Sequence, residues 1–365
     1  MRKRRKKIAI VTSSLGNGGA ERVSANLSYM FSQLGHDVHI ISILNNISYS
    51  YKGFLLNLGK LKDQNDSFFG KIKRYKIFKD YLKNEKFDFV IDGRTRPLFL
   101  KEFLINKILY SNQKVIFMVH SYLIENYLPK NKILANLLYG KAHKFVAVSN
   151  EIKELLYSKY KLNQINFIPN ILLDFNEYNK EVNIQNLPKK FILFFGRVDD
   201  KVKNISLLIN AYEISKLAKN DIFLVILGNG PDIRAMKKKV NSLGLGGRVI
   251  FHPFQCNPES IIKKALFSVL TSRFEGFPLA LIESLSRGTP VVSVDCKSGP
   301  KEIVKNNSNG LLVKNHNPQL LSKALNKMIE DKKFYKNCCK NASNSVSHLS
   351  YEFSSMAWEA LINDS

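Results

Sequence analysis

A chain of 365 residues, 45% hydrophobic and 24% charged, has the length for two ordinary domains and the composition to bury a sizeable core. It holds no apolar run long enough to span a bilayer, and its four cysteines (Cys256, Cys296, Cys338, Cys339) form neither a CxxC pair nor a disulfide-like framework, which predicts a cytoplasmic protein. The formal net charge of +26 points to a polyanionic partner, such as nucleic acid, an anionic membrane face or a phosphorylated substrate; the Lys-, Asn- and Ile-rich bias of an AT-rich genome is the competing explanation.

The opening "MRKRRKK" has the charge of a signal-peptide n-region, but "IAIVTSSLGNGG" after it is interrupted too soon by polar residues and Gly to be an h-region. Residues 8–14 read as a buried strand. A glycine loop follows, then a helix with Val23, Leu27, Met30 and Leu34 on one face, closed by Gly35. "HDVHIISIL", "FDFVIDG", "KVIFMVH" and "KFVAVSN" continue the strands, with helical stretches between. Residues 173–190 turn polar and lose periodicity, and the alternation then restarts. Strands read at "FILFFGR", "IFLVILGNG", "RVIFHPF", "FSVLTS", "PVVSVD" and "GLLV", with helices over 204–218, "DIRAMKKKVNSLG" and "LALIESLSRG". The pattern predicts an α/β protein of two doubly wound Rossmann-like domains facing across a cleft. The expected boundaries are 1–175, a linker over 176–190, and 191–345. The segment 346–365 is then either a plain terminal helix or one that packs back across the junction.

In such sheets ligands bind beyond the carboxyl ends of the strands, and three loops there hold candidate chemistry. In "SSLGNGGAERV", Gly16, Gly18 and Gly19 precede a helix whose first N–H groups favour an anion; a close-packed turn without ligand is the alternative. The dinucleotide fingerprint fails, since Glu21 takes the place of its third glycine and no acid ends the second strand. In "FFGRVDDKVKN", Arg197 and Lys203 suit a diphosphate, Arg as a fork and Lys as a point charge, unless both are merely solvated. In "SRFEGFPLALIESLSRG", Glu275 lies in the loop before a helix that Pro278 can start, and Glu283 lies about a turn inside it. Amides around Phe277 to Leu279 would cradle a phosphate, and the carboxylates would accept from sugar or ribose hydroxyls. The bland alternative is a loop acid and a helix-dipole acid.

"EGFPLALIE" resembles the E-x7-E motif of retaining glycosyltransferases of family 4, which have the GT-B fold. Around it, in order, stand "GNGGAERV", "MVH", "FIPN", "FFGRVDDKVKN", "ILGNGP", "SGPKEIV" and "NGLLV". Almost the whole chain is covered, and members with "GGAER" and "SGPKEI" look like enzymes of bacterial O-antigen, capsule and glycoprotein-oligosaccharide assembly. The resemblance implies that Arg197 and Lys203 hold the donor diphosphate and stabilise the leaving group. It implies that Glu283 accepts from the ribose, Glu275 contacts the donor sugar, and amides of Gly18, Gly19, Gly276, Phe277 and Leu279 complete the cradle. His120 would sit beside the donor sugar; a satisfied core or loop histidine is its alternative. Domain 1–175 would face the acceptor, and 191–345 would bind the nucleotide sugar, UDP-linked by analogy. No cofactor and no metal are expected: there is no D-x-D, and His36 and His39 flank a strand start without partners.

Residues 60–86 carry nine Lys or Arg against four acids, interleaved with Phe68, Phe69, Tyr75, Ile77, Phe78, Tyr81 and Leu82. With "MRKRRKK" and "YLPKNKILANLLYGKAHK" they predict peripheral association with the anionic inner face of the cell membrane, where a polyprenyl-diphosphate-linked saccharide acceptor would be presented. Half-buried helices with solvated basic faces fit each segment equally. No nucleic-acid module is present. Two alternatives stay open: a nucleotide-sugar 2-epimerase on the same fold, and a non-catalytic basic adaptor.

Overall fold

The computed structural model describes residues 4–16, 18–162, 164–171 and 187–364. The expected linker lies mostly outside them. The chain forms two compact units, Met1–Leu173 with Tyr351–Ser365, and Asp174–Ser350.

The first unit is built on seven parallel strands: β1 (Lys7–Thr12), β2 (Asp37–Ser42), β3 (Phe54–Asn57), β4 (Phe89–Asp92), β5 (Val115–Val119), β6 (Lys144–Ala147) and β7 (Ile165–Phe167). Their order is β3-β2-β1-β4-β5-β6-β7, with Ile8 opposite both Val38 and Phe89. Ile8 to Val11 are fully enclosed, because a parallel strand is covered on both faces and so reads as a continuous apolar run. The helices before the second unit are α1 (Gly19–Gln33), α2 (Leu58–Gln64), α3 (Phe68–Glu85), α4 (Phe99–Leu104), α5 (Lys132–Tyr139) and α6 (Asn150–Tyr160).

The second unit has six parallel strands: β8 (Phe191–Phe195), β9 (Phe223–Leu227), β10 (Val249–His252), β11 (Ser268–Leu270), β12 (Val291–Asp295) and β13 (Gly310–Lys314), ordered β10-β9-β8-β11-β12-β13. Its helices are α7 (Asp200–Lys203), α8 (Ile205–Glu213), α9 (Ile233–Ser242), α10 (Glu259–Lys264), α11 (Leu279–Ser286), α12 (Pro300–Ile303), α13 (Pro318–Glu330) and α14 (Lys332–Ser345). Phe194, Leu208, Leu224, Val292 and Leu325 meet in its core. In each sheet the order reverses beside the first strand, between β1 and β4 and between β8 and β11, and the crevice at such a point is where ligands bind.

The last helix, α15 (Tyr351–Asn363), belongs to the first unit. Trp358 is buried with its ring edge-on to Phe31, centroids 5.6 Å apart, His36 Nε2 lies 2.6 Å from Glu359 Oε1, and Lys144 Nζ donates to Leu361 O at 3.0 Å.

Several elements differ from expectation. β1 stops at Thr12, not Ser14, because Thr12 Oγ1 donates to Ser14 O and Ser14 Oγ accepts from Gly16 N–H, which turns the chain. The helix expected over 204–218 ends at Glu213: Ser215 Oγ donates to Tyr212 O at 2.6 Å and accepts from Leu217 N–H, competing with the helical ladder. His39 Nδ1 lies 2.6 Å from Tyr81 Oη.

Candidate active site

In the second unit the loop after β11 is stitched to the loop after β8. Thr271 Oγ1 donates to Lys203 O at 2.9 Å, Arg273 N–H to Val202 O at 2.8 Å, and Arg273 Nη2 to Asn204 Oδ1 at 3.0 Å. These contacts bring together side chains 72 positions apart: Lys203 Nζ donates to Glu275 Oε1 at 2.6 Å. Ser272, fully buried, donates its hydroxyl to the same oxygen at 2.5 Å. The two side chains are only 21% and 11% exposed, so their attraction is less screened than that of a surface pair.

Beyond Glu275 the turn into α11 is held against the segment after β12. Glu275 N–H donates to Lys297 O at 2.6 Å, and Ser298 Oγ to Gly276 O at 2.9 Å. Gly299, at φ +94°, closes this contact. A Cβ there would stand 2.6 Å from Pro278 Cδ and 2.9 Å from Gly276 O, so conformation and space both require glycine. Pro278 precedes α11 and gives it no side-chain cap, which leaves its first turn available to an anion. The side chains of Phe277 and Leu279 are buried, as is Glu283, the fifth residue of α11. Arg197 lies just beyond β8, more than half exposed, with Nη2 3.2 Å from Asp199 Oδ2. Burial, and behind it the charge of Glu275, pushes the Cys296 thiol well up, so it remains a thiol beside the carboxylate.

In the first unit, Gly18 caps α1 without a side-chain bond and Gly19 is exposed with open space where a Cβ would be. The Glu21 carboxylate lies against Gly18, where an added Cβ would meet Oε2 at 1.9 Å. His120 follows β5. Its Nε2 is 3.3 Å from where a Cβ on Gly93 would stand, and both ring nitrogens, though the residue is partly exposed, are enclosed and without a hydrogen-bond partner among the described residues. Burial, assisted by the Arg96 charge and opposed by Asp92, lowers its pKa to about 3. A neutral imidazole offers one donor and one acceptor, which a ligand hydroxyl could engage.

Sequence reasoning missed the buried charges at the end of β4. Asp92 takes both Nε (3.0 Å) and Nη2 (2.7 Å) of Arg94, the Tyr110 hydroxyl at 3.1 Å, and Arg96 Nη1 at 3.8 Å; Arg94 Nη2 also reaches Glu102 Oε2 at 3.1 Å. The signal was present in "DGRTRP", an acid and two arginines directly after an apolar strand. Ser272 was missed as well, although it opens the quoted stretch "SRFEGFPLALIESLSRG". Among the described residues no group of three or more His, Cys, Asp or Glu is arranged to hold a metal ion.

Two family profiles divide the chain between them: "Glycosyltransferase Family 4" matches residues 17–172, and "Glycosyl transferases group 1" matches 175–345. The chain is 30% identical over 359 residues to the N-acetylgalactosamine-N,N'-diacetylbacillosaminyl-diphospho-undecaprenol 4-alpha-N-acetylgalactosaminyltransferase of Campylobacter jejuni, covering 92% of this chain and 94% of that protein. It is 24% identical to the amylovoran biosynthesis glycosyltransferase AmsD of Erwinia amylovora, over 98% and 99% of the two chains. Among solved structures, Anabaena Alr3699/HepE in complex with UDP and glucose superposes with a TM-score of 0.77 at 17% identity, covering 99% of this chain and all of that one. TarM gives the same TM-score at 15% identity, covering 99% of each chain. Two parallel α/β sheets, the profiles and these relatives make the chain a glycosyltransferase of family 4, with the GT-B fold.

Proposed function

We propose that the enzyme moves a hexose or N-acetylhexosamine from a UDP-linked donor to a lipid-linked saccharide, with retention of anomeric configuration and without a metal. The observation that carries this reading is the Lys203–Glu275–Ser272 cluster beside the uncapped start of α11, with Arg197 on the loop after β8. A donor diphosphate would draw Arg197 from Asp199 and compete with Glu275 for Lys203. As the bond from the anomeric carbon to the phosphate oxygen breaks, both cations and the amides of Gly276, Phe277 and Leu279 stabilise the charge left on phosphate. The acceptor oxygen bonds to that carbon, and its proton passes to the departing phosphate. Glu275, with Oε1 tied to Lys203 and Ser272, orients a sugar hydroxyl and is no nucleophile in this scheme. Glu283 takes the ribose hydroxyls. In the first unit, amides of Gly18 and Gly19 and the neutral His120 contact the donor. The UDP and glucose held by HepE support the donor class, and the diphospho-undecaprenol in the C. jejuni relative's name supports the acceptor class.

The test is thermal melting in EDTA with UDP, GDP or NAD. At 100 times its dissociation constant UDP should add about 2.7 kcal/mol, and Glu283→Ala should remove the shift. A melt that no nucleotide moves would reject the reading.

The acceptor reading adds a membrane surface. Among the described residues no helix is long and apolar enough to cross a bilayer. Phe68 and Phe69 are 72% and 79% exposed at the start of α3, beside the exposed Lys71 and Lys73. Apolar rings ringed by lysines suit an anionic interface. The enzyme should co-float with phosphatidylglycerol vesicles at low salt, and Phe68→Ser with Phe69→Ser should reduce flotation about tenfold, the loss of some 1.4 kcal/mol. Parental flotation of that variant would discard this face.

A further inference from the structure

We propose that Arg96 is the positioning residue for His120: its guanidinium fastens the end of β5 just before the histidine and, through Tyr127, the segment just after it. Arg96 is fully buried. Its Nη1 donates to Asp92 O at 3.1 Å and Arg94 O at 2.9 Å, and its Nη2 to Met118 O at 3.1 Å, two residues ahead of His120. Its backbone N–H donates to Asn126 O at 2.6 Å. The guanidinium packs against the rings of Phe117, Tyr127 and Tyr139, 4.9, 5.4 and 5.7 Å from their centroids. Tyr127, buried in turn, brings its phenol to the His120 backbone. One side chain therefore touches both flanks of the histidine.

Only arginine can do this. Its planar fork reaches three carbonyls and stacks on three rings, whereas lysine presents one point charge. A buried cation is a poor choice for stability alone, since an apolar side chain of equal volume often serves as well or better. Its place at the ends of β4 and β5, with Asp92 as counter-charge at 3.8 Å, is what calls for another reason. The charged groups acting on His120 are Arg96 and Asp92; Arg94, Glu102 and Tyr110 surround Asp92 on its other sides. The Arg96 cation works with burial to keep the imidazole unprotonated, so that the ring meets a ligand as a neutral donor and acceptor.

The consequence for turnover rests on the donor-contact role given to His120 above; the effect on its titration does not. In the full-length enzyme, NMR titration of the His120 ring, assigned by its loss in His120→Gln, should show it unprotonated far below the ordinary histidine range. In Arg96→Met the titration should move up by about one unit or more. Turnover should fall about tenfold or more, with UDP affinity within about twofold of the parent. A variant that folds, titrates His120 like the parent and turns over like the parent would reduce Arg96 to core filling and overturn the proposal. If Arg96→Met does not fold, Arg96→Lys carries the test. It keeps a cation but not the fork, so its His120 ring signals should shift and its turnover should drop at unchanged UDP affinity; parental signals and turnover overturn the proposal. Parental turnover in His120→Gln would sink the donor-contact role and leave the titration result standing.

Discussion

Lys203→Ala should lower turnover by about 10²–10³-fold, the range expected when a charge aimed at the developing anion is removed from a preorganised site. The same substitution leaves the Glu275 carboxylate with the Ser272 hydroxyl but without its cation. With both side chains partly exposed, the stability loss should be about 1–2 kcal/mol. The two effects separate in the double variant. Adding Glu275→Gln to Lys203→Ala removes the uncompensated charge, so melting temperature should recover while turnover stays low. Transfer assays and thermal melts on the three variants read both quantities. Turnover within threefold of the parent in Lys203→Ala would mean that the pair is structural, and that the negative charge on the leaving phosphate is met elsewhere. Arg197→Ala should weaken donor binding with little change in melting temperature, because Arg197 is more than half exposed and pairs only with Asp199 among the contacts described.

The second unit's candidate site was legible because its residues lie in the loops after two strands and in the short helices those loops lead into, which the strand–helix alternation locates. Arg197 and Lys203 follow β8, and Glu275 and Glu283 bracket the start of α11. What the sequence could not show is that Lys203 and Glu275 touch: that requires β8 and β11 to be neighbours, a fact of strand order rather than of spacing. The edge strands β3 and β7 went unread: each is short and neither is fully buried. Helices α13 and α14 are long and were still passed over, although Asn317 and Asp331 accept from the N–H groups of Leu320 and Phe334 at their starts and each is a standard capping signal. In residues 60–86 the apolar side chains divide: Phe78 and Leu82 are buried in the first unit, whereas Phe68, Phe69 and Ile72 remain exposed. Composition describes that segment as uniformly basic and aromatic, and only burial separates its core face from a candidate docking face.

Asp92→Ala should destabilise the enzyme by about 3–5 kcal/mol, because it strands buried guanidinium groups that have almost no water to turn to. For a unit of this size that corresponds to a fall of about 6–20 °C in Tm. Glu102 can still hold Arg94, which argues for the lower half of the range, whereas Arg96 loses its counter-charge and keeps only carbonyl and ring partners. Burial alone would raise the Asp92 carboxyl, but Arg94 and Arg96 prevail and hold it below the ordinary value of 3.8. A depressed carboxyl contributes stability that is complete above that value and is lost as pH falls through the folded-state pKa. His120 acts earlier on the same side. The unfolded chain protonates it below 6.5 while the folded chain resists to about 3, so stability should fall by up to about 1.4 kcal/mol per pH unit across that window. Acid unfolding should therefore begin near the ordinary histidine pKa and steepen below 4. Asp92→Asn, with similar shape and no charge, separates the contributions: it should remove the steepening below 4 and leave the shallow loss that begins near 6.5. If Asp92→Asn melts like the parent from pH 7 down to 3, the carboxylate is not the counter-charge that holds Arg94 and Arg96 in the core, and the support for His120 has to be sought in the carbonyl bonds of Arg96 alone.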